Sequence, residues 1–322
     1  MRLFADEDRI SRPRPALRRL PAAVLLCALL GLAAPPGAAA QTMADPESGG
    51  GPLRAIEPVT ARREMVVAAH PLAALAGLDV LREGGNAVDA AVAAAYALNV
   101  VEPQSSGIGG GAFVLIYLAK RGEVVALDGR EEAPAAARRG YFLRPDGTPQ
   151  PFFPDRITGG RAVAVPGAVR VLERARREFG RLKAPQVLGP AIRLADRGVP
   201  VSGRLAALLR VHRERLARFP ATRALFFGAD GEPLREGDRL RQPDLAATFT
   251  LIATQGDDAF HRGAVAEDIV RSVTQAPVHP GVMTLEDLEA YRAVRRAPTR
   301  GTFRGYTLYG MGPPSSGGVT VQ

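Results

Sequence analysis

The chain has 322 residues with 46% hydrophobic and 23% charged side chains, enough apolar material for a sizeable core and too little charge for a globally disordered polymer. Its formal net charge is +9, and of 42 basic residues only Lys120 and Lys183 are lysine. The arginines are scattered over several elements with no basic stripe or interleaved aromatic platform, which argues against a nucleic-acid partner and for ordinary solvated surface.

Residues 1–40 read as an export signal. Arg12, Arg14, Arg18 and Arg19 form the basic region, and the apolar run from Ala22 to Ala34 is too short to span a bilayer. Pro35, Pro36 and Gly37 break it, and Ala38-Ala39-Ala40 offers small residues for cleavage. An uncleaved anchor is the alternative. The sole cysteine, Cys27, lies inside the apolar run, so a processed chain would carry no thiol and no disulfide. A processed chain of this kind is expected in the periplasm or outside the cell, off the membrane. Residues 41–60 are rich in Gly, Pro and acidic side chains and read as a flexible lead-in to one domain over 61–322.

Met65 to Ala69 has the apolar character of a short buried strand. His70-Pro71 opens a helix with Leu72, Leu75, Leu78 and Leu81 at helical spacing, stopped by Gly84-Gly85. Asn86 is a good N-cap for a helix from Ala87 to about Asn99, apolar nearly all round and therefore buried. A Gly-rich turn, Gly107 to Gly111, leads into a strand from Phe113 to Leu118, a tight turn at Lys120-Arg121-Gly122 and a strand from Glu123 to Leu127.

Beyond Asp155 the texture is mostly helical. Helices are expected from Pro166-Gly167 to Gly180, from Ala184 to Gly198, from Gly203 towards Phe219, and over Asp244 to Thr254 and Gly263 to Thr274. Thr284-Leu285-Glu286-Asp287 resembles a capping box before another short helix. Thr302 to Tyr309 returns to strand character, and Pro313 to Gly318 reads as a loop. Val319 to Gln322 begins a new apolar run, as expected of a chain interrupted rather than completed.

Gly107-Ile108-Gly109 starts like a dinucleotide fingerprint, but a helix precedes it and a strand follows, the reverse of what phosphate binding at a helix N-terminus requires. Tight turning and close packing is the better reading. His70, His212, His261 and His279 show no metal-ligand spacing, so no metal is expected. His70 reads as a local structural residue. No Gly-x-Ser-x-Gly elbow is present, and Ser105-Ser106 and Ser315-Ser316 read as hydroxyls that cap backbone groups. Asp128-Gly129-Arg130-Glu131 ends a strand, where side chains can point into a cleft. Arg130 there can either grip a substrate carboxylate with parallel hydrogen bonds or form a structural ion pair with Asp128, Glu131 or Glu132.

Taken in order, several stretches resemble the γ-glutamyltransferase family: Gly84 to Ala91, Glu102 to Phe113, Asp128 to Pro134, Val165-Pro166-Gly167, Met283 to Leu288 and Pro313 to Gly318. The resemblance covers roughly Met65 to Gln322 and corresponds to the large-subunit portion of such an enzyme. It implies an α/β fold of the N-terminal-nucleophile hydrolase type, a four-layer αββα sandwich that this stretch would supply only in part. It also implies a precursor that cuts itself and exposes a threonine, encoded beyond Gln322, as nucleophile. That threonine would cleave the γ-glutamyl amide of glutathione or a related compound and pass the acyl group to water, an amino acid or a peptide. The partner would be the small subunit from the same precursor, with no cofactor.

By the same resemblance Arg130 matches the arginine that binds the α-carboxylate of the γ-glutamyl group, through a buried pair. No catalytic residue is expected within this stretch, which alone would be inactive. Gly129 departs from the bulkier residue often found before that arginine. Two other readings stay open: a related amidase or acylase acting on another amide, such as a cephalosporin side chain, and an exported module that holds amino acids without catalysis.

Overall fold

The computed structural model describes residues 58–322, so the expected export signal and nearly all of the lead-in lie outside the described residues. The first two helices form as their caps dictate. Helix α1, Pro71–Arg82, starts where the His70 ring Nδ1 accepts a hydrogen bond from the Leu72 N–H, so His70 is the structural cap the sequence suggested. Helix α2, Ala87–Val101, starts at Asn86, whose side-chain oxygen accepts from the Val88 and Asp89 N–H groups at 2.9 and 3.1 Å. Asp89 accepts in return from the Asn86 N–H, closing a capping box. The helix runs two residues beyond the expected end, and its apolar circumference is buried against α1.

The β-hairpin follows as expected: β1, Ala112–Leu118, pairs antiparallel with β2, Glu123–Gly129. A third strand, β5, Val294–Arg296, adds to the free edge of β2, giving the order β1-β2-β5. Ile116 and Val125 are cross-strand partners, and with Leu127 they point into the core. Leu115 and Tyr117 alternate to the opposite face and are exposed.

One helix covers the inner face and a second packs beside it. Helix α3, Ala168–Phe179, packs on β1 and β2, and α4, Ala184–Arg197, packs on α2. Both end at the glycines the sequence marked, Gly180 and Gly198. Tyr96 of α2 sits fully buried, edge-on to Phe249 with ring centroids 5.2 Å apart. Phe249 belongs to α8, Pro243–Gln255, which covers the far side of α4.

The stretch expected as one helix from Gly203 to Phe219 is divided. It breaks at His212 into α5, Gly203–Val211, and α6, Arg213–Leu216, before α7, Pro220–Phe226. Strands β3, Val199–Pro200, and β4, Arg239–Leu240, form a two-residue ladder beside them. A turn of helix α9, Asp258–His261, precedes α10, Gly263–Thr274, and the Thr284 capping box starts α11, Leu285–Ala290. The single strand expected over Thr302 to Tyr309 is a hairpin. Strands β6, Thr299–Phe303, and β7, Tyr306–Gly310, turn at Arg304 and Gly305, both at positive φ. The last element is α12, Gly317–Val321.

The expected strand Met65 to Ala69 does not form. No strand partner meets it among the described residues, and Met65 and Val67 stand 48% and 84% exposed. Its apolar side chains satisfied a strand pattern, but a strand also needs a neighbour for its N–H and C=O groups. The described residues thus combine helices and sheets, with one three-stranded sheet covered by helices on one face.

Candidate active site

Arg130 follows the last residue of the central strand, and one local and one long-range hydrogen bond hold its backbone. The Asp128 carboxylate accepts the Arg130 N–H at 2.8 Å, closing the turn off the strand. The other Asp128 oxygen accepts from Arg296 Nε at 2.5 Å, so β5 brings the cation that neutralises a carboxylate only 5% exposed. The Tyr291 hydroxyl donates to the Arg130 carbonyl at 2.7 Å. Burial pushes the Tyr291 phenol up, and the neighbouring Glu132, Asp128 and Glu131 carboxylates push it further, so the hydroxyl stays protonated as the donor.

Only the side chain of Arg130 is left loose. It is 59% exposed, and its Nε lies 3.2 Å from the Glu131 carboxylate. Of the two readings open at the sequence level, the ion pair is the one seen, and its partner is Glu131, since Asp128 is taken by Arg296. An exposed pair of this kind contributes little to stability and exchanges readily for another carboxylate.

The Gly-rich turn holds the strand end against α3. The Gly110 carbonyl accepts the Gly167 and Ala168 N–H groups at 3.0 and 2.9 Å, which occupies the N-terminus of α3 with backbone instead of phosphate. A Cβ at Gly111 would stand 2.6 Å from the Gly129 carbonyl and 2.7 Å from Glu131. At Gly129 a Cβ would meet Val171 at 2.4 Å. Close approach of backbones is thus what these two glycines provide. It also accounts for the small residue before Arg130, because Val171 of α3 fills the space a larger side chain would need.

A second shelf lies below. Tyr291 stacks on the buried His261, ring centroids 6.3 Å apart at 15°. His261 Nδ1 lies 2.9 Å from the Asp257 carbonyl and Nε2 3.4 Å from the Pro166 carbonyl, and the single N–H of a neutral ring can serve only one of them. Burial lowers its pKa, so it stays neutral. Downstream of Arg130, Glu132 pairs with Val165 through two backbone hydrogen bonds, and the Ala135 N–H donates to Asp287, the residue that closes the α11 capping box.

The other singled-out residues have partners of their own. The Ser106 hydroxyl bonds the Asn99 side chain at 3.0 Å, and Ser315 accepts from the Gly317 N–H at 3.3 Å. Among the described residues no cluster of His, Cys, Asp and Glu is arranged to hold a metal, and no helix is long and apolar enough to cross a membrane. Tyr291, His261 and Arg296 were missed by sequence reasoning. The Asp-x-Arg spacing at 128–130 was a usable local signal, whereas Tyr291 lies 161 residues from its carbonyl partner and gave none.

Comparison with known proteins places the chain in a family. The γ-glutamyltranspeptidase family model matches residues 73–322. The glutathione hydrolase proenzyme of Bacillus subtilis (strain 168) is 44% identical over 255 residues, covering 79% of this chain and 42% of that protein. The acylase ACY 1 proenzyme of Pseudomonas sp. (strain V22) is 40% identical over 269 residues, covering 82% of this chain and 47% of that protein. The crystal structure of Helicobacter pylori γ-glutamyltranspeptidase superposes with a TM-score of 0.78 at 40% identity, covering 82% of this chain and 74% of that one. The chain spans about half the length of the curated relatives it matches. On the extent of the match, its identity and the shared fold, the chain belongs to the γ-glutamyltranspeptidase family.

Proposed function

We propose that this chain is the large-subunit portion of an exported γ-glutamyltransferase, a glutathione hydrolase, and that Arg130 receives the α-carboxylate of the γ-glutamyl group. The observation that carries the reading is the mounting of Arg130: a backbone fixed by Asp128 and Tyr291, and a guanidinium that is 59% exposed and, among the described residues, paired with Glu131 alone. A substrate carboxylate exchanges for Glu131 with no buried charge to uncover, and the guanidinium fork accepts it with two parallel hydrogen bonds. The nucleophile is a threonine exposed by self-cleavage in the remainder of the precursor. Its own α-amine serves as base, and the acyl-enzyme passes to water, an amino acid or a peptide. Backbone donors stabilise the tetrahedral oxyanion.

The remainder of the precursor, as small subunit, supplies a second sheet and helical layer, completing a four-layer αββα sandwich. The open face of the present sheet, with Leu115 and Tyr117 exposed, suits such a layer. No cofactor takes part.

The test uses the full-length precursor carrying Arg130→Ala. Hydrolysis of a γ-glutamyl anilide should lose about 2 kcal/mol or more of specificity, roughly thirtyfold in kcat/KM. Near-normal kinetics would remove Arg130 from the site. The similarity to an acylase supports a second reading, an amidase acting on acyl groups that lack the amino-acid end. Under that reading the unmodified enzyme turns over such an amide faster than the γ-glutamyl anilide.

A further inference from the structure

Three arginines of α3, Arg170, Arg174 and Arg177, recur at four- and three-residue spacing and so share one face of the helix. That face lines an open cavity of about 400 Å³, which Arg262, preceding α10, and Arg292, following α11, also line. Against these five cations stand three lining carboxylates, Glu178, Asp257 and Asp258, and Glu289 just outside pairs with Arg262 at 2.8 Å, so one positive charge is left in excess.

The carboxylates are already committed. Asp257, 5% exposed, takes Arg177 and Arg170 Nη1, the latter at 2.7 Å. Arg170 Nη1 also reaches Asp258 at 2.8 Å, and Glu178 takes Arg174 Nε at 2.6 Å. Burial pushes the Asp257 carboxyl up, but the hydrogen bonds from Arg177 and Arg170 outweigh it and hold the group below the ordinary range, hence ionised.

One lining cation is left over. Arg292 is exposed and donates only to the backbone carbonyls of Glu289 and Tyr291, and among the described residues it has no carboxylate partner. Its remaining N–H groups are available to an oxyanion in the cavity.

From the five arginines gathered here, the excess of positive charge and the unpaired Arg292 we infer that the cavity is a binding site for a small multivalent oxyanion of the phosphate or sulfate class. The site is built by α3, the α9–α10 junction and the segment after α11, and it draws on none of the residues that hold Arg130. A bound anion would tie the segment after α11 to α3.

The experiment is isothermal titration of the full-length precursor with inorganic phosphate at constant ionic strength in chloride buffer, with sulfate as competitor. One saturable site is expected, displaced by sulfate. Arg292→Gln, at an exposed position, should weaken it about tenfold or more. Arg174→Gln serves as the second variant, and circular dichroism checks that both fold. Arg210→Gln, on the exposed side of α5, should bind as the unmodified protein does, and so should Arg130→Ala. Heats no different from chloride, undiminished binding in both cavity variants, or loss of binding in Arg130→Ala would each overturn the assignment. The last would place the anion at the γ-glutamyl site instead.

Discussion

Replacing Gly129 with alanine tests the packing that sets Arg130 in place. The new Cβ would stand 2.4 Å from both Cβ and Cγ1 of Val171 and 3.0 Å from the Ala112 carbonyl. Carbon atoms pack at about 3.5–4.0 Å, so the overlap exceeds about 1 Å against a helix position that is fully buried. Val171 cannot rotate away, because its own Cβ is one of the clashing atoms. Either α3 or the end of β2 must move, and overpacking of this kind costs about 1–3 kcal/mol.

The partner substitution is Val171→Gly, which removes the clashing atom. Alone it loses about 1.5–3 kcal/mol of burial and roughly another half from helix propensity. Combined with Gly129→Ala it transfers the Cβ from helix to strand, so the pair should be less destabilising than the sum of the singles by about 1–3 kcal/mol. Urea denaturation of the four proteins in the full-length precursor measures this. Additivity within about 0.5 kcal/mol would refute the contact as the reason for glycine at this position.

Tyr291→Phe removes the donor to the Arg130 carbonyl and should cost about 1 kcal/mol of stability while raising KM for a γ-glutamyl anilide more than it lowers kcat; an unchanged KM would show that the Arg130 backbone needs no such anchor. His261 should make stability pH-dependent. Its folded pKa lies below the ordinary 6.5, so the unfolded chain binds the proton first as pH falls. Its contribution is complete above about pH 6.5 and declines as pH falls through the window down to the folded value. Denaturation midpoints of the parent and His261→Gln between pH 7.5 and 5, with pH values of about these ends, should converge at the acid end; parallel curves would remove His261 from the acid sensitivity.

The elements legible in the sequence are those whose causes lie within a few residues. Asn86 and Asp89 cap α2 from three positions apart, Thr284 and Asp287 do the same for α11, and Gly180 and Gly198 end their helices where the backbone demands it. The β1–β2 hairpin is equally local, closed over Lys120-Arg121-Gly122. Arg130 was legible as a candidate because it ends a strand in a motif with family precedent. Which of the three offered carboxylates it pairs with was not, since Arg296 takes Asp128 from 168 residues away and leaves Glu131.

Sequence patterning by itself determined the helix caps, the leading hairpin, the buried circumference of α2 and the position of Arg130, because hydrogen bonds over three or four residues and apolar periodicity are properties of a local stretch. The tertiary structure alone decided that β5 joins β2, that Met65 to Ala69 finds no strand partner, that Tyr291 stacks on His261 beneath Arg130, and that five arginines line one cavity. Each of these depends on which distant surfaces meet, and a chain segment carries no local record of its partner's identity.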